Sequence, residues 1–225
     1  MSTGNFMATQ PYGPDKPFKW AQTPVMWFLN AQSLRDAAEI ILGDQSKREK
    51  PYLEAEDKAG KEAQAAAFTS SDGLAQAEIA CESPNYGPAQ LLYAFAMENA
   101  LKGLIVIQNP GLIASPEISK SIKSHDLIML ARNASFQLAP QEEPVLKALS
   151  HIAEWAGRYP VPAKMDKYVN QENPLGVDRH ALLEWGQHPV MRRCFDRMLQ
   201  ELEKEIQRKL GRPPSRFSSV FAFRC

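Results

Sequence analysis

Between Ser83 and Pro116 the chain carries only two charged residues, Glu98 and Lys102. Pro88 to Gln108 within that stretch reads as one long helix, entered from a turn at Pro84 to Gly87 and stopped by Asn109-Pro110-Gly111. Leu91, Leu92, Tyr93, Phe95, Met97, Leu101 and Leu104 to Ile107 cover almost its whole circumference. A helix that is apolar all round has to be buried, so the remaining chain must supply other elements to enclose it. Glu98 and Lys102 stand four apart with the acid first, the favourable order for a helical ion pair. On such a helix the pair is partly buried, and a buried charge needs a partner. Two readings follow: a structural pair that anchors a neighbouring segment, or a polar cluster in a groove of the bundle.

The covering elements are helices as well. Thr23-Pro24 opens one that carries Val25, Phe28, Leu29, Leu34, Ala37, Ala38 and Ile41 at helical spacing and is expected to stop at Gly43. Ser124 is expected to cap a helix from His125 to Ala134. Further helices are predicted over Glu142 to Ala156, Asp178 to Trp185 and Pro189 to Leu210, with a short one from Ser115 to Ile122. No stretch alternates like a strand. The expectation is an all-α fold, an antiparallel up-and-down bundle of five to seven helices. It forms one domain over residues 23–210. Residues 44–82, rich in Lys, Glu, Ala and Gln, read as an inserted solvated helix or mobile excursion. Residues 1–22 read as an irregular arm and 211–225 as an irregular tail whose Phe217, Val220, Phe221 and Phe223 form an edge strand or an apolar plug.

Composition excludes several roles. The 225 residues hold 26 Lys plus Arg against 26 Asp plus Glu, which removes a global electrostatic argument for coating nucleic acid or a membrane surface. No uninterrupted apolar run approaches the roughly 18 residues of a membrane span, and no secretory signal opens the chain. Cys81, Cys194 and Cys225 are odd in number and far apart, so neither a disulfide framework nor a CxxC metal site is expected. A cytoplasmic protein without membrane, metal or cofactor is the expectation.

Two residues outside the central helix carry candidate chemistry. His125, in Ser124-His125-Asp126-Leu127, offers the side chain that titrates nearest neutral pH and so an acid, a base or a phosphate contact. Asp126 complements the following helix dipole. Arg158, four residues after Glu154, is either a surface ion-pair partner or a guanidinium clamp for phosphate or carboxylate.

The succession Glu98-Asn99-Ala100-Leu101-Lys102, then His125-Asp126-Leu127, then Arg158-Tyr159-Pro160, each in a helical setting, resembles the HEPN domain over roughly Thr23 to Tyr159. The resemblance implies a helical bundle, frequent dimerisation, and roles in nucleotide or RNA transactions, often in bacterial defence or toxin and antitoxin systems. Many members are metal-independent ribonucleases with an Arg-x4-6-His motif. Here no arginine is followed by histidine at that spacing; Lys164 stands six positions after Arg158, and a lysine is a poor general base unless burial lowers its pKa. The enzyme inference weakens accordingly.

Two further patterns have plain explanations. His180, Glu184 and His188 would align on one unbroken helix, but Gly186 and Pro189 interrupt it and no fourth zinc ligand is near. From Pro189 to Cys225 nine Lys plus Arg stand against four acids, either a solvated face with pairs such as Arg197 and Glu201 or a phosphate-tracking stripe. The leading expectation is a homodimeric, non-catalytic nucleotide- or RNA-binding module whose groove is lined by Glu98, Lys102, His125 and Arg158. The alternatives are a metal-independent endoribonuclease using His125 and Arg158, and a structural assembly protein contacting a protein partner.

Overall fold

The computed structural model describes residues 23–69, 77–113, 119, 122–156 and 188–211. Among them are five α-helices and no strand: α1 (Pro24–Thr69), α2 (Gly87–Gln108), α3 (Leu127–Asn133), α4 (Glu142–His151) and α5 (His188–Leu210). A 3-10 turn (Pro110–Ile113) follows α2, and α4 continues into a π turn (Ile152–Ala156). The arm 1–22, the short helix expected before Ile122, Arg158 with Tyr159 and Pro160, Lys164, the helix expected over 178–185, His180, Glu184 and the tail aromatics all fall outside the described residues.

The central position of α2 follows from its composition: 15 of its 22 residues are buried, which leaves hardly any face for solvent. It is also the one described helix long and apolar enough to cross a membrane, with 78% of that window buried inside the bundle. Helix α1 runs antiparallel along α2, with Trp27 beside Gly103, Glu39 bonded to Tyr93, and Glu49 bonded to Tyr86. Helix α5 runs in the same direction as α2, with His188 on Gln90 and Leu202 on Gly103. Gly103 is the close approach: a Cβ there would lie 2.7 Å from Leu202 Cδ2 and 3.1 Å from Trp27 Cβ. On the other flank α3 and α4 are antiparallel to one another, with the start of α3 at Ser150, and α3 runs alongside α2, from His125 at Glu98 to Ala134 at Gln108. The core is one apolar cluster in which Phe28, Tyr93, Leu101, Leu130, Leu149 and Phe195 are each about 2% exposed or less.

Three local expectations are corrected. The first helix does not stop at Gly43; it passes through Gly43 and Pro51 to Thr69. Gly and Pro weaken a helix interior by roughly 1 and 3 kcal/mol. Here the surrounding Ala, Lys, Glu and Gln are strong helix formers, and ion pairs such as Arg48–Asp44, Lys50–Glu54, Lys58–Glu62 and Lys61–Asp57 brace the exposed face. Residues 44–69 are thus the distal half of α1. The returning segment lies against that half, through Arg48 to Glu82 and Gln45 to the Asn85 amide. The cap of α3 is Asp126, not Ser124: Asp126 Oδ1 accepts from the Met129 amide at 2.9 Å, while Ser124 Oγ accepts from the Asp126 amide. Arg197 bonds Glu142 and the Gln137 carbonyl rather than Glu201, and lies over the Phe136 ring, because Glu142 is buried at the start of α4 and needs a cation there.

Candidate functional site

The site is assembled where three elements fix one imidazole. Glu98 and Lys102, one turn apart on α2, are joined at 2.6 Å with side chains 10% and 9% exposed. His125 Nδ1 lies 2.7 Å from the second Glu98 oxygen, and its ring is 40% exposed. Glu98 therefore spends one oxygen on the ammonium and the other on the ring. Its position inside the bundle makes the contact strong, because little water competes for either oxygen.

The segment bearing His125 is held independently. Asp126 caps α3, and Ser150 Oγ accepts from the Leu127 amide at 2.9 Å while donating to the Leu146 carbonyl at 2.8 Å. These bonds pin the start of α3 to α4 and set the backbone from which His125 projects. Short, fully used bonds of this kind restrict the imidazole to one orientation over Glu98.

His125 opens on a groove of about 530 Å³ between the segment from Lys123 to Ile128 and the last turns of α4. Lys147, His151 and Glu154 line the far wall. They recur at i, i+4 and i+7, the spacing of one helical face. Lys147 also meets Glu143 at 3.0 Å, and that contact holds the Glu143 carboxyl below the usual carboxylate range. The groove thus brings together two imidazoles, two ammonium groups, two carboxylates and the Ser124 and Ser150 hydroxyls.

A second polar cluster lies between α1, α2 and α5. Arg192 reaches both Glu39 oxygens, at 2.8 and 3.0 Å, and the Tyr93 hydroxyl donates to Glu39 as well. Burial pushes the Glu39 carboxyl up, but the bonds from Arg192 and Tyr93 outweigh it and hold it below its ordinary value. Burial and the Glu39 bond raise the Tyr93 phenol, and burial and Glu49 raise that of Tyr86. At the start of α5, the Gln90 amide donates to His188 Nε2 at 3.0 Å, and the ring meets Tyr86 edge-on at 4.8 Å between centroids. Burial first, and the nearby Arg192 charge second, lower the His188 pKa. The Cys194 thiol is buried and pushed up to about 12, which makes it inert as a nucleophile at neutral pH.

Of the four side chains expected to line a groove, Glu98, Lys102 and His125 are bonded together, but of these only His125 lines the groove, with Glu98 and Lys102 buried behind it. Arg158, the fourth, lies outside the described residues. Sequence reasoning passed over Lys123, Lys147 and His151. The spacing of Lys147, His151 and Glu154 along α4 and the π turn that continues it was the available signal. Nothing local could have paired Glu39 with Arg192, which are 153 residues apart. Among the described residues no group of three or more His, Cys, Asp or Glu is arranged to hold a metal ion.

The fold and site define an all-α helical bundle with a carboxylate-held imidazole at the mouth of a polar groove. Compared with family models, curated proteins and solved structures, the chain matches none of them.

Proposed function

We propose that this chain is a HEPN-like, non-catalytic module that binds a nucleotide or RNA through phosphate, in the groove between the Lys123 to Ile128 segment and α4. The observation that carries the reading is the convergence of His125, His151, Lys123 and Lys147 on one groove, with His125 fixed from behind by the buried Glu98–Lys102 pair. Ammonium and imidazolium groups are phosphate donors, and a positioned donor loses little freedom on binding. A cytoplasmic setting, a homodimer and a role in bacterial defence belong to the same reading.

Calorimetric titration at low salt with a nucleoside monophosphate and with a short single-stranded RNA tests it. Binding that weakens as salt rises and disappears in His125→Ala is expected. The absence of heat with both ligands, in wild type and variant alike, would sink the proposal.

One observation favours a second reading, a metal-independent endoribonuclease: His151 shares the groove with His125, and paired imidazoles are able to act as base and acid. Incubation of single-stranded RNA with the protein in chelator separates the two readings. Cleavage lost in both His125→Ala and His151→Ala establishes the enzyme; intact RNA leaves the binding module.

A further inference from the structure

The groove's own charges oppose a simple view of phosphate binding. Lys123 and Lys147 are offset by Asp126 and Glu154, so with neutral imidazoles the lining carries no net charge. Attraction for an anion then depends on His125 and His151. The geometry at His125 adds a stricter condition. Glu98, with the Lys102 ammonium on its other oxygen, is a carboxylate that accepts hydrogen bonds and has none to give. The proton between Nδ1 and Glu98 therefore belongs to the ring. A neutral ring with its proton on Nδ1 presents a lone pair at Nε2, and a phosphate oxygen is an acceptor too. Only the imidazolium keeps the bond to Glu98 while offering an N–H from Nε2.

We infer that the groove takes up a proton together with its ligand, the dianion of a terminal phosphate group on a nucleotide or at the end of an RNA chain. The inference rests on the phosphate-binding reading above and gives it a ligand class and a pH dependence. A terminal group fits better than a run of internal diesters, because three of the four arginines on α5 that would track a backbone are engaged: Arg192 with Glu39, Arg197 with Glu142 and Arg208 with Glu205. The groups facing His125 are Glu98 and Lys102 from α2, Lys123 and Asp126 on its own segment, Lys147 and His151 from α4, and Glu154 from the π turn that continues it.

Sulfate is the cleanest probe, since it stays a dianion from about pH 5 to about pH 9 and any titration belongs to the protein. Its affinity, read by calorimetry at low salt, is expected to fall by up to about tenfold per pH unit as the imidazole loses its proton. The binding heat should also differ between two buffers of different ionisation enthalpy, which reports the proton taken up. A short RNA with a 5′-phosphate is expected to bind more tightly than the same RNA with a 5′-hydroxyl, and a nucleoside 5′-monophosphate more tightly than its nucleoside. In Glu98→Gln the amide is able to donate to Nδ1, so the neutral ring holds its proton at Nε2 and the pH dependence flattens. Wild-type affinity for sulfate that is constant with pH, with buffer-independent heat, overturns this inference and leaves phosphate binding standing. Equal affinity for the 5′-phosphate and 5′-hydroxyl RNAs overturns the terminal-group assignment. No binding of any probe at any of these pH values overturns the underlying reading as well.

Discussion

The bundle contains two polar clusters built from similar side chains, and they end differently. Between α1, α2 and α5, Glu39, Tyr93 and Arg192 saturate one another, and His188 is spent on Gln90 and Tyr86. Beside α3, Glu98 is equally saturated, but its second partner is an imidazole that stands 40% exposed at the edge of a groove. The contrast separates polarity that locks helices from polarity that is offered outward. Burial of charge alone does not mark a site. A buried pair whose chain of bonds terminates in an exposed titratable group does.

The comparison is broken most severely by removing Glu98. Glu98→Ala leaves the Lys102 ammonium in the bundle without its partner, and loss of one member of a buried pair costs about 3–5 kcal/mol. Urea denaturation should show that loss in full, with no folded population retaining ligand affinity. Arg192→Ala, in the other cluster, acts on side chains that are more than one-third exposed, Arg192 itself and Glu39 at 35%. Its expected cost is smaller, about 1–2 kcal/mol, with ligand binding unchanged. Equal stability losses in the two variants would erase the distinction drawn here.

His125→Ala sharpens it from the other side. The ring is only partly covered, but its loss leaves one Glu98 oxygen unsatisfied, so it should cost about 1–2 kcal/mol, well below Glu98→Ala, while abolishing phosphate binding. A cheap change in stability paired with a complete change in binding is the signature expected of the outward-facing cluster.

The smallest effect is on pH dependence. The His188 pKa is lowered in the folded protein, so the unfolded chain takes the proton more readily. Stability from this residue is therefore complete above about pH 6.5 and is lost as pH falls from there through the depressed value. Glu39, also depressed, behaves the same way in the carboxylate range further down. Thermal melts of His188→Gln should lose the upper of these two acid slopes and keep the lower one.

How much of this was legible beforehand divides along physical lines. The helical class, the burial of α2 and the Glu98–Lys102 pair could be read from periodicity and from the near absence of charge between residues 83 and 116, because both are properties of a single helix. The place of His125 against Glu98 was legible only as an expectation of convergence, since 27 residues separate them and the packing of α3 along α2 decides whether they meet. The continuation of α1 past Gly43 was misread because a local breaker signal was weighed without the ion pairs that offset it. The Glu39–Arg192 bridge was illegible, as it depends on how α1 and α5 lie across α2, which no local pattern encodes.

That last dependence returns to position 103. Trp27 and Leu202 occupy the room where a methyl group would stand on α2, so one hydrogen atom sets the calibre of the bundle at that level. An alanine there would be felt first at the Leu202 methyl groups, which must turn aside, and next at Trp27, and hydrogen exchange along α1 and α5 at that level is where so small an enlargement would leave its trace.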